Sequence, residues 1–392
     1  MENNYEIAIC GAGIVGLACA LAFAKKQKNL VIISPKYNFY KKDNISRVYA
    51  ISLSSKIFLD ELNIWNKLSN SSITSVNSME IYGDNGGFIE LDCLHVMLPE
   101  LSWIVESDEI ERVILNEIIK MDIPWIYDNC IEYTNGLLKT YNGTAIKADL
   151  IVGADGAKST IRKIFNIQST SKDYHSNAII ANISVEKYHN NIAYQWFFEK
   201  NILGVLPIYC TNTDNQVSIV LSLNNKDFFK IQKMDLNIQK QYLINLINPI
   251  ISNKLGNIIN INMNSLKIFP LNLVKSDIIS NLGAVLIGDA AHKIHPLAGQ
   301  GLNLGLGDAK ILVEIISNRD KFRHAGDFYI LKKYKSIRTI NIYKMIFVTD
   351  LLYNLFHSSY KLISYTRNIS MNLLNNIPYI KRFIIENASK IS

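Results

Sequence analysis

Three kinds of hydrophobic pattern follow one another along the chain, and each predicts a different element. Residues 5–10 and 30–33 are short apolar runs, and the stretch between them is rich in Ala and Leu to about Lys26. A strand, a helix and a second strand are predicted there, a β-α-β unit. Residues 43–65 begin polar and turn helical, with Ser52 or Ser54 placed to cap the helix. Residues 74–92 alternate around Gly83, Gly86 and Gly87, which is the pattern of a hairpin. Residues 107–120 put Ile110, Val113, Ile114 and Ile118 on one face, an amphipathic helix with Ser107 or Asp108 as its cap. A buried strand at 150–152 then runs into Gly153-Ala154-Asp155-Gly156, with Ser159 and Arg162 three residues apart on the helix that follows.

Alternation takes over from 174 to 270. Residues 178–185, 193–198 and 216–223 predict an antiparallel sheet, and residues 228–262 read as helical before a strand ending at Phe269-Pro270-Leu271. An apolar strand at 284–287 ends at Gly288-Asp289, a Gly-rich turn follows, and a helix opens near Gly301-Leu302-Asn303. Residues 309–392 are helical and mix Lys and Arg with Ile, Leu, Tyr and Phe. The expected class is α/β, α+β overall: a Rossmann-like unit, an inserted mostly antiparallel sheet, and a C-terminal helical segment.

Candidate chemistry sits where glycines interrupt these patterns. Gly11-Ala12-Gly13-Ile14-Val15-Gly16 lies between strand and helix, the context in which GxGxxG binds a dinucleotide. Gly11 allows the tight turn, Gly13 lets a pyrophosphate approach, and Gly16 lets helix pack on strand. Asp155 stands at the end of a parallel strand, where α/β sheets bind ligands. Gly299, Gly301 and Gly305 open a helix whose free amides and positive dipole end suit a flat, partly anionic group. The acid that usually ends the second strand of such units and bonds a ribose is absent; Ser34 stands there, with Pro35 next. Arg47 is a lone cation placed to clamp an anion. Tyr194, Trp196 and Phe198, with Pro207 beyond them, are either one hydrophobic face of the sheet or a substrate wall.

Composition narrows the picture. At 392 residues with 48% hydrophobic content, two intimately joined domains are expected. The net charge of +7 is spread along the chain, and no nucleic-acid-binding motif accompanies it. Five scattered cysteines without a CxxC pair speak against a metal site or disulfide framework and suit the cytoplasm. The uncharged run 7–24 contains the three glycines and follows Glu6, so a phosphate-binding loop is expected there rather than a signal peptide.

Taken in order, GxGxxG at 11–16, GADG at 153–156 and GDAAH at 288–292 resemble the three FAD motifs of the p-hydroxybenzoate hydroxylase-fold flavoprotein monooxygenases. HPLAGQGLNLGLGD at 295–308 resembles the signature of the ubiquinone-biosynthesis hydroxylases (UbiH/UbiF type). SRVYAIS around Arg47, YQWF and GVLPI in 194–208, FPL at 269–271 and Tyr334…Arg338 extend the likeness over almost the whole chain. The resemblance implies a discontinuous FAD-binding domain (1–73, 100–173 and 271–330), a substrate domain (74–99 and 174–270) and a C-terminal helical region (331–392). It implies bound FAD, with NAD(P)H as a transient co-substrate. Gly11, Gly13 and Gly16 would hold the pyrophosphate with Arg47 beside it. Asp155 would serve FAD and nicotinamide binding, and Asp289 the ribityl chain. Pro296 and the backbone of Gly299, Gln300, Gly301, Leu302 and Asn303 would line the flavin. Ser34 is the candidate for the ribose. No metal and no catalytic triad are implied, and His292 and His295 are read as structural.

The activity implied is hydroxylation of a polyprenylphenol ring in ubiquinone biosynthesis, with O2 activated through a flavin C4a-hydroperoxide. A same-fold hydroxylase of a soluble phenol, an FAD-dependent isoprenoid reductase and a non-catalytic FAD-fold subunit of a quinone-synthesis complex are the alternatives. The basic, apolar C-terminal part is consistent with a cytoplasmic protein held peripherally at the inner face of a membrane, near other ubiquinone-synthesis proteins.

Overall fold

A computed structural model describes residues 3–35, 47–210, 214–294, 299–357 and 360–389. Strand β1 (Asn3–Cys10) and helix α1 (Ile14–Lys25) lead into β2 (Leu30–Ile33), and β1 pairs β2 in parallel. Ile7, Ala8, Ile9, Val31 and Ile32 are wholly buried, as befits parallel strands covered on both faces. The chain then leaves this layer. Strand β3 (Val48–Ile51) precedes α2 (Leu53–Glu61), whose cap is Ser52, accepting from the Ser55 amide. Strand β4 (Ile73–Val76) is followed by the hairpin β5 (Ser78–Tyr82) and β6 (Phe88–Asp92). With β7 (Ser102–Glu106), β3 and β4 form a small antiparallel sheet.

Helix α3 (Ser107–Lys120) buries the predicted stripe of Ile110, Val113, Ile114 and Ile118. Its cap is Glu106 rather than Ser107 or Asp108, since the helix already begins at Ser107, whose hydroxyl donates to the Asp108 carboxylate. Strand β8 (Trp125–Ile126) joins the edge of the first sheet; β9 (Cys130–Thr134) and β10 (Leu137–Thr140) lead into β11 (Ala145–Gly153), which pairs β1 in parallel, and α4 (Thr160–Ile164) follows.

The second large sheet begins with β12 (Ser169–Val185), followed by β13 (Ile192–Phe198), β14 (Asn201–Pro207) and β15 (Asn215–Asn224). Helices α5 (Asn225–Gln232) and α6 (Leu236–Leu255) cover one of its faces, and β16 (Ile258–Ser276) returns along β12. The helical reading of 228–262 is therefore corrected at its end: α6 stops at Gly256, whose φ of +70° no helix continues, and residues from Ile258 are strand. All pairs in this sheet are antiparallel except β13 with β5. The chain re-enters the first sheet through β17 (Ser280–Asn281) and β18 (Ala284–Leu286), and β19 (His292–Lys293) pairs β16.

Helix α7 (Gly301–Ser317) packs on α1, and α8 (Phe328–His357), α9 (Lys361–Asn375) and α10 (Pro378–Ser389) wrap the outside. Side chains of α9 satisfy the free edge strand β6: the Asn372 and Asn375 side-chain oxygens accept from the Phe88 and Glu90 amides, each at 2.9 Å. Strands β12 and β16 run across the expected 173/174 and 270/271 boundaries, so the two large sheets are joined by unbroken backbone.

Candidate functional site

The loop after β1 is built by close backbone approach. Gly11 has φ +118°, and a Cβ there would lie 2.3 Å from the Ala154 carbonyl oxygen. A Cβ on Gly16 would lie 2.3 Å from the Gly11 oxygen, so α1 sits directly on its own loop. Gly13 is the cap residue of α1, has no side chain to satisfy the first amides, and would meet nothing within 4 Å if it carried a Cβ. The first-turn amides of α1 therefore face open space, a large cavity of about 530 Å³.

The second motif supports this loop from behind. Asp155 accepts from the Thr160 and Ile161 amides at 2.6 and 3.1 Å, which makes it a cap for α4, and it does not line the cavity. Ser159 accepts from the Arg162 amide. Arg162, to which the sequence pattern gives no role, ties the second motif to the third: its guanidinium donates to the Ala290 carbonyl at 2.9 Å and the Ala157 carbonyl at 2.7 Å. The available signal was an arginine a few residues after GADG with Ser159 beneath it.

The third motif is held by a buried charge node. Asp308 on α7 accepts from the Gly288 amide (2.9 Å), from Arg338 Nε on α8 (2.7 Å), and lies 2.6 Å from His292 Nε2. Arg338 also donates to the Leu304 carbonyl at 2.8 Å, and Asp308 and Arg338 are fully buried. Burial alone would raise the Asp308 carboxyl; His292, Arg338 and the Gly288 amide outweigh it and hold it below its ordinary value. His292 thus spends its Nε2 on structure. Asn303, expected near the flavin, is also wholly buried: its oxygen accepts from the Ser52 amide (3.0 Å) and its nitrogen donates to the Ala50 carbonyl (2.9 Å). It locks the start of α7 to the β3–α2 turn. His295 and Pro296 lie outside the described residues.

Gly13, Gly16, Arg47, Asp289, Gly299, Gln300, Gly301 and Leu302 line one end of the cavity, and Gly299 has φ +62°. Arg47 lies over the rings of Tyr49 and Phe269, at 4.7 and 5.0 Å. Asp289 opens onto the cavity but is otherwise enclosed by protein; that enclosure raises its carboxyl, against the pull of His292, Lys293 and Arg47. Burial likewise lowers Lys293, whose ammonium donates to the Asn272 side chain at 2.6 Å. Gly11 and Ser34 do not line the cavity. Ser34 is half-buried at the end of β2, where its carbonyl accepts from the Trp125 indole. Open amides at two helix starts, a glycine cradle, a cation and a carboxylate are a donor set that fits a dinucleotide such as FAD.

The other end of the cavity is the sheet face turned away from α5 and α6. Alternation decides which side chains see it. Ala178, Ile180, Gln195, Gly204, Val220 and Ser222 line it. Trp196 and Phe198 were candidates for this wall, and strand parity turns them the other way: Trp196 stacks between Tyr82 and Tyr194 in the core under the two helices, and Phe198 packs against the same core. Pro207 is buried and off the cavity; Tyr194 belongs to that core and also touches the lining. The far end of the chain contributes Ile385, Ala388 and Ser389 of α10.

Known proteins are similar to this chain over nearly its whole length. The human mitochondrial ubiquinone biosynthesis monooxygenase COQ6 is 25% identical over 442 residues, covering 99% of this chain and 93% of that protein. The 3-demethoxyubiquinol 3-hydroxylase of Escherichia coli K12 is 26% identical, with 98% of each chain covered. In fold, the chain is similar to p-nitrophenol 4-monooxygenase PnpA from Pseudomonas putida DLL-E4, with a TM-score of 0.77 at 15% identity and 100% and 99% of the two chains covered. It is also similar to Pseudomonas aeruginosa PqsL in complex with 2-aminobenzoylacetate (TM-score 0.76, 15% identity, 94% and 100% covered). Residues 134–346, more than half of the chain, match the family described as FAD binding domain, and the chain belongs to that family.

Proposed function

We propose that the chain is an FAD-dependent monooxygenase that hydroxylates the aromatic ring of a polyprenylphenol in ubiquinone biosynthesis, with NAD(P)H and O2 as co-substrates. The observation that carries this reading is a single cavity with two unlike walls: a glycine-and-amide cradle at one end and a nearly apolar sheet face at the other. The relatives named for ubiquinone synthesis, aligned over nearly the full chain, support the substrate class. The chemistry FAD supplies when bound is uptake of two electrons from NAD(P)H and activation of O2, one oxygen atom going to the ring and the other to water.

In this reading the chain's own groups do the positioning. The first-turn amides of α1, beside Gly13, take the pyrophosphate, and Arg47 adds a cation nearby. Asp289, on the cavity lining, would accept from hydroxyls of the ribityl chain. The start of α7, from Gly299 to Leu302, lines the cavity and would hold the ring system, where its dipole would stabilise negative charge by roughly 0.3–2 kcal/mol. Gly11, Asp155 and Asn303 shape the backbone that these groups stand on. Residues 1–73, 100–173 and 271–330 serve the cofactor, and 74–99 with 174–270 serve the substrate. The sheet wall excludes water from the reacting ring.

A prenyl tail calls for a lipid surface. Among the described residues no helix is long and apolar enough to cross a membrane. Helix α8 instead exposes Ile340, Tyr343, Phe347, Val348 and Leu351 along one side, beside Lys344. This supports peripheral contact with an anionic membrane surface, from which the substrate would enter.

The test is to purify the protein, record flavin absorption, and supply a short-tailed polyprenylphenol with NAD(P)H and isotopically labelled O2, in anionic vesicles and in micelles. One labelled oxygen per product molecule, formed faster in vesicles, is expected. NAD(P)H oxidation without labelled product would point to a reductase or uncoupled oxidase. A colourless protein that takes up no FAD would leave the non-catalytic reading, and equal rates in both media would remove the membrane contact.

A further inference from the structure

The sheet wall of the cavity is largely apolar, and Gln195, Ser222 and Asn272 are among the few polar side chains on it. Gln195 on β13 is 8% exposed, and that exposure is to the cavity. Among the described residues neither atom of its amide has a hydrogen-bond partner. Buried amides are normally paired, and several other buried polar side chains in and beside this sheet are. His189 meets the Ile208 carbonyl and the Asn191 amide, Ser176 donates to the Tyr174 carbonyl, and Ser265 donates to the Asn262 carbonyl. Ser222, 6% exposed on β15, also lines this wall.

The residue paired with Gln195 is Gly204 on β14. Its φ is not in the left-handed region, and a Cβ there would meet only the Val220 oxygen at 3.8 Å and the Val220 Cβ at 3.9 Å, ordinary contacts. Neither strain nor crowding inside the protein calls for glycine. What the missing side chain leaves is a shallow bay on the cavity wall, directly beside an unpaired amide and opposite the cofactor end.

We propose that Gln195 and Gly204 form the seat of the substrate ring. The ring lies over Gly204, and the Gln195 amide holds an oxygen substituent of the ring, accepting from a phenolic hydroxyl or donating to its oxygen. The amide is uncharged, so it holds a neutral phenol without ionising it. It fixes rotation of the ring in its plane and so selects which carbon faces the cofactor end. The inference rests on the hydroxylase reading above and names a specificity-determining residue for it.

The experiment is equilibrium binding to the FAD-loaded protein, followed by flavin absorbance and tryptophan fluorescence, with 2-geranylphenol and with geranylbenzene, which lacks only the hydroxyl. Wild type is expected to prefer the phenol by on the order of 10- to 100-fold. Gln195→Leu and Gln195→Met should bind both probes alike, near the wild-type affinity for geranylbenzene, with flavin content unchanged. Gly204→Ala should weaken both probes together. If either Gln195 variant that retains flavin keeps the wild-type preference, the assignment is wrong. If wild type binds both probes but shows no preference, it is wrong without recourse to any variant. If wild type binds neither probe, the polyprenylphenol reading itself falls, and the seat with it.

Discussion

Gly11 and Gly13 lie two residues apart, and a methyl group at each should have opposite consequences. At Gly11 it would have to sit 2.3 Å from the Ala154 oxygen on a backbone at φ +118°. The strain alone is worth about 1–3 kcal/mol, and the overlap adds to it by forcing the first and second motifs apart. Gly11→Ala should therefore lower the melting temperature by several degrees and lose FAD together with the fold. Gly13→Ala has open space around it and should leave the melting temperature of FAD-free protein unchanged while weakening FAD uptake. Thermal scans with and without added FAD separate the two. Equal melting temperatures for both FAD-free variants would mean the Gly11 contact is not as tight as described. The roles of these glycines were readable from spacing, because a strand–GxGxxG–helix context admits few backbone paths. Side-chain direction was not. Asp155 stands where a ligand-binding acid stands in such sheets, but two free amides of α4 lie nearer and take it. Trp196 and Phe198 could be either a hydrophobic face of the sheet or a substrate wall; parity along β13 sends them to the face away from the cavity, and only an anchor such as the Gln195–Gly204 pairing could have shown which face was which.

At the scale of elements, the site depends on α7 and α8 being held to the third motif by Asp308. Removing one member of a fully buried pair leaves the other uncompensated, at a cost of about 3–5 kcal/mol. Arg338→Met should therefore destabilise strongly, and Asp308→Leu combined with Arg338→Met should recover only part of that loss, because the Gly288 amide and His292 then lose their acceptor, as read by urea unfolding at neutral pH. The same node carries a pH signature. The folded Asp308 carboxyl lies below its ordinary value of 3.8, so the unfolded chain takes up its proton first on acidification. Its contribution is complete above about pH 4–5 and is lost as pH falls through the ordinary value towards the lower folded one. Wild type should lose unfolding free energy more steeply below pH 4 than the double variant does. Parallel acid limbs would show that the carboxyl is not held down. The elements themselves were largely legible: the β-α-β start, the α3 stripe and the alternating strands all follow from periodicity. The node was not. His292, Asp308 and Arg338 are separated by 16 and 30 residues, and nothing in local pattern says that three ionisable groups meet in a dry core.

Across the whole molecule, helix α10 lines the cavity rather than merely decorating the surface. Helix α9 is fixed to the β5–β6 hairpin by Asn368, Asn372 and Asn375, which accept from the Gly87, Phe88 and Glu90 amides, and by the Arg367–Asp84 ion pair. Helix α10 continues from this anchor and brings Ile385, Ala388 and Ser389 into the cavity lining; the Ser389 carbonyl accepts from the Ser54 hydroxyl at 2.9 Å. A basic, apolar C-terminal stretch was visible in the sequence, but its amphipathic spacing fits a wall of the site as well as an outer surface. A chain ending after Asn376 keeps every asparagine of the α9 ladder and removes only the α10 wall. It should fold, retain FAD and oxidise NAD(P)H. With that wall gone, water reaches the reacting ring and oxygen is spent unproductively. The fraction of NAD(P)H oxidation appearing as hydrogen peroxide, measured with a peroxidase-coupled dye at saturating polyprenylphenol, should rise severalfold over the full chain. An unchanged fraction would place α10 outside the catalytic enclosure, and the cavity would then have to be closed by the substrate's own prenyl tail.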